Sequence, residues 1–82
     1  MTLELYQEIA LNRDLSDYDL KAGDIATLLD FVTHPSGGED GCVLEFFNAV
    51  GESLTVITVP ISAIERLRAD EILSVRSLVK TP

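Results

Sequence analysis

The residues of this chain that could do chemistry are few and scattered. One histidine, His34, is followed across a glycine-rich stretch by two carboxylates, Glu39 and Asp40. Imidazole and carboxylate groups ligate divalent metals. This spacing fits no ligand motif, so the stretch reads as a solvated loop and no metal is expected. Nor is it a phosphate cradle: Gly37-Gly38 lacks a following Lys-Ser/Thr, and the two acids repel phosphate. The single cysteine, Cys42, has no basic neighbour in sequence to lower its pKa, so it reads as a small buried hydrophobe. With the only histidine in a loop, Cys-His and Ser-His-Asp arrangements lack a framework. A thin core also leaves little surrounding structure to hold catalytic geometry. The expectation is no enzyme and no cofactor.

A different kind of site is suggested by Asp17-Tyr18-Asp19, an acidic bump with an aromatic centre just ahead of Lys21. A tyrosine offers a flat apolar face with a polar tip, which suits protein contact. Tyr6 and Phe47 are its candidate companions. The partner-binding set read from sequence is therefore Tyr6, Asp17, Tyr18, Asp19 and Phe47. Near the end of the chain Arg66, Arg68, Arg76 and Lys80 form a locally basic stretch. Their expected role is to pair with the acids of the body.

Charge bounds the partner. The 82 residues include 14 acids and 6 bases, a net charge of −8. Residues 22–65 hold seven of the acids and no Lys or Arg. Such a surface repels nucleic-acid backbones and favours a basic protein. No nucleic-acid partner is expected. The longest uncharged run, Ser53 to Ile64, is twelve residues broken by Pro60, short of the roughly 20 that a spanning helix needs. The N-terminal residues show no basic segment followed by an apolar one, so no signal peptide is expected. A soluble cytoplasmic protein without membrane contact follows, and one unpaired cysteine suits a reducing compartment.

The elements that must position these residues are strands. Leu, Ile and Val number 25, far above the disordered regime. Turn signals at Lys21-Ala22-Gly23-Asp24, His34 to Gly41 and Asn48-Ala49-Val50-Gly51 cut the chain into short pieces, and Pro60 ends the last of them. The pieces are Glu8 to Leu11, Ile25 to Thr33, Cys42 to Asn48 and Ser53 to Val59. All are of strand length, and none carries a helical stripe. Alternation places Cys42, Leu44 and Phe46 on one face, with Val43, Glu45 and Phe47 on the other. In the second piece Ile25, Leu29 and Phe31 are expected to point together. The fourth piece is apolar on both faces, as in a curled sheet. A single helical turn and a short strand follow Pro60. Asp70 to Val79 reads as a helix or, in preference, a closing strand.

Two resemblances sharpen this reading. The segment Leu20-Lys21-Ala22-Gly23-Asp24-Ile25-Ala26-Thr27-Leu28 resembles the opening of an SH3-like small barrel, with Ala26 where such segments often carry glycine. In such barrels the loop corresponding to Asp17-Tyr18-Asp19 flanks the peptide groove. The chain from about residue 3 to 78 also resembles an uncharacterised family of short bacterial proteins, a domain of unknown function. The matching residues are Leu5 to Leu11, Leu20 to Asp24, Glu45-Phe46-Phe47-Asn48 and Thr55-Val56-Ile57-Thr58-Val59-Pro60. That likeness implies a small β-barrel, no assigned activity and loosely a co-encoded protein partner. The expectation is a mainly β, SH3-like open barrel of about five antiparallel strands, with one helical turn before the last. Residues 1–82 make a single domain with a core from about 3 to 67, and residues 68–82 cover an edge or face. The expected function is an acidic, non-catalytic protein-interaction module, conceivable as an inhibitor or antitoxin-like partner of a co-encoded protein. The alternatives are a nucleic-acid-associated barrel, disfavoured by charge, and a homo-oligomeric structural subunit.

Overall fold

A computed structural model describes residues 3–77. Five strands form: β1 (Glu8–Leu11), β2 (Ile25–Val32), β3 (Gly41–Phe47), β4 (Ser53–Pro60) and β5 (Ile64–Arg66). They make one antiparallel sheet in the order β4-β3-β2-β1-β5. A one-turn 3-10 helix, Ile61–Ala63, sits between β4 and β5, and a second, Ser16–Tyr18, lies in the connection from β1 to β2. This is the mainly β, five-stranded open barrel with a helical turn before its last strand. Among the described residues no helix is long and apolar enough to cross a membrane.

The strands follow from the residues. β-Branched and aromatic side chains dominate β2, β3 and β4, and they pack well on a pleated surface. Between β3 and β4, Asn48 closes the turn from both ends. Its amide N–H donates to the Glu52 carbonyl at 2.9 Å, and its Oδ1 accepts from the N–H groups of Val50 and Glu52. Gly51 stands at φ 86°, which a glycine adopts without steric cost. The 3-10 turn after β4 is held by the preceding loop: Glu39 accepts from the Ser62 N–H at 2.6 Å, and the Asp40 carbonyl accepts from the Ile61 N–H at 2.9 Å.

One face of the sheet supplies the core. Ile9, Leu11, Ala26, Leu28, Cys42, Leu44, Phe46, Ile57, Val59 and Ile64 all turn inward, joined by Leu20 and Ala63 from the connections. A single curled sheet burying one face is the economical solution for so short a chain. The expected alternation in β3 is what the structure has: Cys42, Leu44 and Phe46 are buried while Phe47 is exposed. In β4, Ile57 and Val59 go in and Leu54 and Val56 stay out.

Two expectations need correction. Ile25, Leu29 and Phe31 do not share a face. The register shifts between Leu28 and Asp30, so that Asp30 opposes Val43 and Phe31 opposes Cys42. A bulge at Leu29 inserts one residue and reverses the parity of everything beyond it. The buried residues of β2 are Ala26 and Leu28 instead. The preferred closing strand is also absent: residues 71–77 are neither strand nor helix. After a turn at Ala69 and Asp70, Ile72 and Val75 stand more than nine-tenths exposed, and side chains rather than a backbone ladder fasten the segment. Leu78 and Val79, which completed the expected strand, lie outside the described residues.

Leu44 is the centre of the fold, fully buried and paired to Leu28 on one side and Ile57 on the other. Leu44→Ala is expected to cost about 2–5 kcal/mol, a large part of the roughly 5–10 kcal/mol available to a chain of this size. Val56→Ala, on the exposed face, should change stability by about 0.5 kcal/mol or less. Urea midpoints of the two variants check the contrast.

Candidate functional site

The turn between the Ser16–Tyr18 3-10 helix and β2 is built by carboxylates. The Asp24 N–H donates to the Lys21 carbonyl at 3.0 Å, and Gly23 between them sits at φ 93°. Asp24 Oδ2 accepts from the Lys21 N–H at 2.8 Å, and Asp14 Oδ1 accepts from the Ala22 N–H at 2.9 Å. An aspartate whose side chain returns to the backbone of its own turn is a common way to fix such a corner.

Arg76 closes on this corner from 52 residues away. Its Nε donates to Asp24 Oδ1 at 2.8 Å, and its Nη2 donates to Asp24 Oδ2. The same Nη2 donates to the Asp19 carbonyl at 2.9 Å. The guanidinium thus meets a carboxylate with two parallel bonds and a backbone acceptor beside it, the strong form of arginine recognition. Partial burial would raise the Asp24 carboxyl. The Arg76 hydrogen bond, the Lys21 N–H and the charges of Arg76 and Lys21 more than offset it, and the group lies below its ordinary value of 3.8. Arg76 is pushed up in turn by the same bond.

Beside the ion pair lies a cavity of about 520 Å³. Leu20, Ile25, Phe46, Phe47 and Leu54 give it an apolar wall, Glu8 and Asn48 add polar groups, and Leu73 to Arg76 pass along its other side. Leu73 is still 61% exposed there and Val75 91%, so the tail borders the cavity without packing deeply into it.

The sequence-derived candidates fall in different places. Asp17 and Tyr18 lie in the 3-10 turn, with the Tyr18 ring half exposed. Asp19 ends that turn at φ 58°, a left-handed conformation that aspartate tolerates, and it contributes its carbonyl to Arg76. Phe47 lines the cavity and is 43% exposed. Tyr6 is not among the residues lining that cavity. Its ring is exposed and its backbone is held at φ 65°. There Tyr6 donates its N–H to the Leu28 carbonyl, while the Leu28 N–H returns to Gln7 at 2.9 Å. Two residues of the N-terminal stretch therefore face one of β2, a bulge with an aromatic side chain where glycine is the usual occupant.

The remaining chemical groups do not assemble. His34 Nδ1 accepts from the Ser36 N–H at 3.1 Å, and Glu39 is engaged with Ser62. Side-chain and backbone hydrogen bonds from Ser62 hold the Glu39 carboxyl below its ordinary range. No group of three or more potential metal-binding side chains occurs among the described residues. Cys42 is buried, its thiol 3.6 Å from the Val59 carbonyl, and burial followed by the charge of Glu39 raises its pKa. Of the C-terminal bases, Arg76 pairs with the body, Arg68 pairs locally with Asp70 at 3.1 Å, and Lys80 lies outside the described residues. Arg66 opposes Ile9 across the β1–β5 pair, with Nε and Nη1 buried and lacking a hydrogen-bond partner.

Sequence reasoning marked Asp24 only as a turn residue and Arg76 only as one of four bases. Nothing in local spacing joins them, because the contact spans most of the chain. Comparison with protein-family models, curated proteins and solved structures gives no match.

Two outcomes follow. Asp24 is depressed in the fold, so its stabilising bond is fully present above the unfolded carboxylate value and is lost as pH falls through the lower folded value. Acidification from about pH 5 to about pH 2 should move the Val75 to Ser77 amide resonances toward random-coil positions. Arg76→Gln should place them there at every pH; tail resonances that stay fixed through the titration contradict the strap. Separately, Tyr6→Gly should raise stability by up to about 1 kcal/mol in denaturant melts, because it removes a left-handed aromatic residue.

Proposed function

We propose that this chain is an acidic, non-catalytic protein-interaction module that binds a basic protein partner. One version of it is an inhibitor or antitoxin-like neutraliser of a co-encoded protein. An acidic body can occupy a basic cleft in the way phosphate does, and opposed charge speeds encounter. The observation that carries the proposal is a group of exposed apolar side chains on a base-free stretch of the chain. Phe47, Leu54 and Val56 stand 42–52% exposed near the β3–β4 turn. They lie within residues 22–65, which hold no Lys or Arg. Aromatic and aliphatic anchors ringed by charge are how a small interface gains affinity and excludes wrong partners.

A second reading, the homo-oligomeric structural subunit, has one observation in its favour. β4 stands at the end of the sheet order, and its eight residues, Ser53–Pro60, carry no charge. An uncharged edge of that length is a template for pairing with a second copy. Sedimentation at several concentrations separates the readings, since an obligate oligomer persists on dilution.

The test of the module is co-expression with the products of neighbouring genes. A complex that weakens as salt rises is expected with one of them. Phe47→Asp should leave the β-sheet spectrum and melting cooperativity in place, because Phe47 lies outside the core, and should abolish that complex. Absence of any complex at micromolar concentration, for every neighbour, overturns the proposal.

A further inference from the structure

We propose that the Asp24 corner is a recognition site for an arginine on an extended segment of a partner protein, and that the chain's own residues 72–77 occupy it as a displaceable internal ligand. This inference rests on the interaction-module reading and names the surface used. Four observations carry it. The corner presents a formed guanidinium receptor: both Asp24 oxygens and the Asp19 carbonyl accept from Arg76. The receptor is set before the arginine arrives, since the Lys21 N–H on Asp24 and the Ala22 N–H on Asp14 hold the turn independently of the tail. The segment that brings Arg76 lies outside any strand or helix, and it leaves Ile72 93% and Val75 91% exposed. It therefore grips chiefly through one side chain. Next to that side chain the apolar wall of Leu20, Ile25, Phe46, Phe47 and Leu54 borders an open cavity of about 520 Å³ that the tail flanks without filling.

The occupant follows from charge. A second copy of this chain would offer the same locally basic tail attached to another body of net charge −8 overall, whereas a segment of a basic partner brings the sign that the corner and the base-free body both attract. The ligand class is an extended peptide with arginine flanked by apolar residues. An internal arginine on a short tether acts at an effective concentration in about the millimolar range. It holds the site against weak ligands and yields to a segment that also fills the apolar cavity.

The experiment uses the full chain, isotopically labelled, and a capped synthetic peptide copying residues 72–77. In Arg76→Gln protein the peptide should shift the amides of Gly23 and Asp24 and the ring of Phe47. Wild-type protein should bind the same peptide at least about tenfold more weakly, because its own tail competes. A peptide with glutamine in place of the arginine should produce no shift at Gly23 and Asp24. Asp24→Asn, combined with Arg76→Gln, should lose the response while retaining a folded spectrum; if that variant does not fold, the two peptides decide the matter. Absence of shifts in Arg76→Gln protein at millimolar peptide overturns the inference, as does equal binding of the arginine and glutamine peptides. Because the titration contains no natural partner, such a failure removes the arginine site alone and leaves the module to the co-expression test.

Discussion

Everything in this structure depends on burying one face of a single sheet with very little chain. Ile9, Leu11, Leu28, Cys42, Leu44 and Phe46 are each almost completely shielded from water, and among the described residues no second sheet or long helix covers them. The sheet can do this only by curling until its own ends close over the face, and a sheet curls where its ladder is interrupted. The interruptions are visible at Leu29 in β2, at the Phe46–Phe47 step in β3 and at Tyr6 before β1. The left-handed backbone of Tyr6 is a local cost borne so that β1 can follow the curve.

The same constraint explains the outer surface. A curled sheet with one covered face leaves the other to solvent, and here it carries Glu45 and Thr58 but also Val56 and, at the margin, Leu54 and Phe47. The acids spread through residues 22–65 keep such a surface soluble and give it a sign. The chain supplies no base of its own in that span. From the C-terminal segment, Arg76 reaches the opening of β2 and meets Asp24 beside Lys21. Fold, charge and tail therefore converge on one corner, which is why the proposed interaction is located there.

Much of the fold is legible in residue types. Glycines at 23, 37 and 51 all mark corners with positive φ, and the pieces between them are the strands, within a residue or two at each end. Pro60 ends the last long strand and leads into the 3-10 turn. The faces of β3 follow from simple alternation. The faces of β2 do not, because a bulge has no local signature in Thr27-Leu28-Leu29-Asp30: any of these residues fits a regular strand. Of the candidate contact residues, Phe47 lines the cavity and Asp19 accepts from Arg76, which also lines it, while Tyr6 does not line it. Their types suggested contact, and only their positions show which of them act together.

Local chemistry, readable along the chain, determined that this protein is made of strands, where they turn, which side chains alternate and how negative the result is. Those properties depend on neighbours one to four residues apart. The tertiary structure alone decided where the alternation reverses, that residues 71–77 lie outside the sheet rather than forming a sixth strand, and that Arg76 pairs with Asp24. These depend on how the whole sheet closes. Contacts between residues 52 positions apart are selected by the register and curvature of everything between them, not by any spacing that the residues themselves carry.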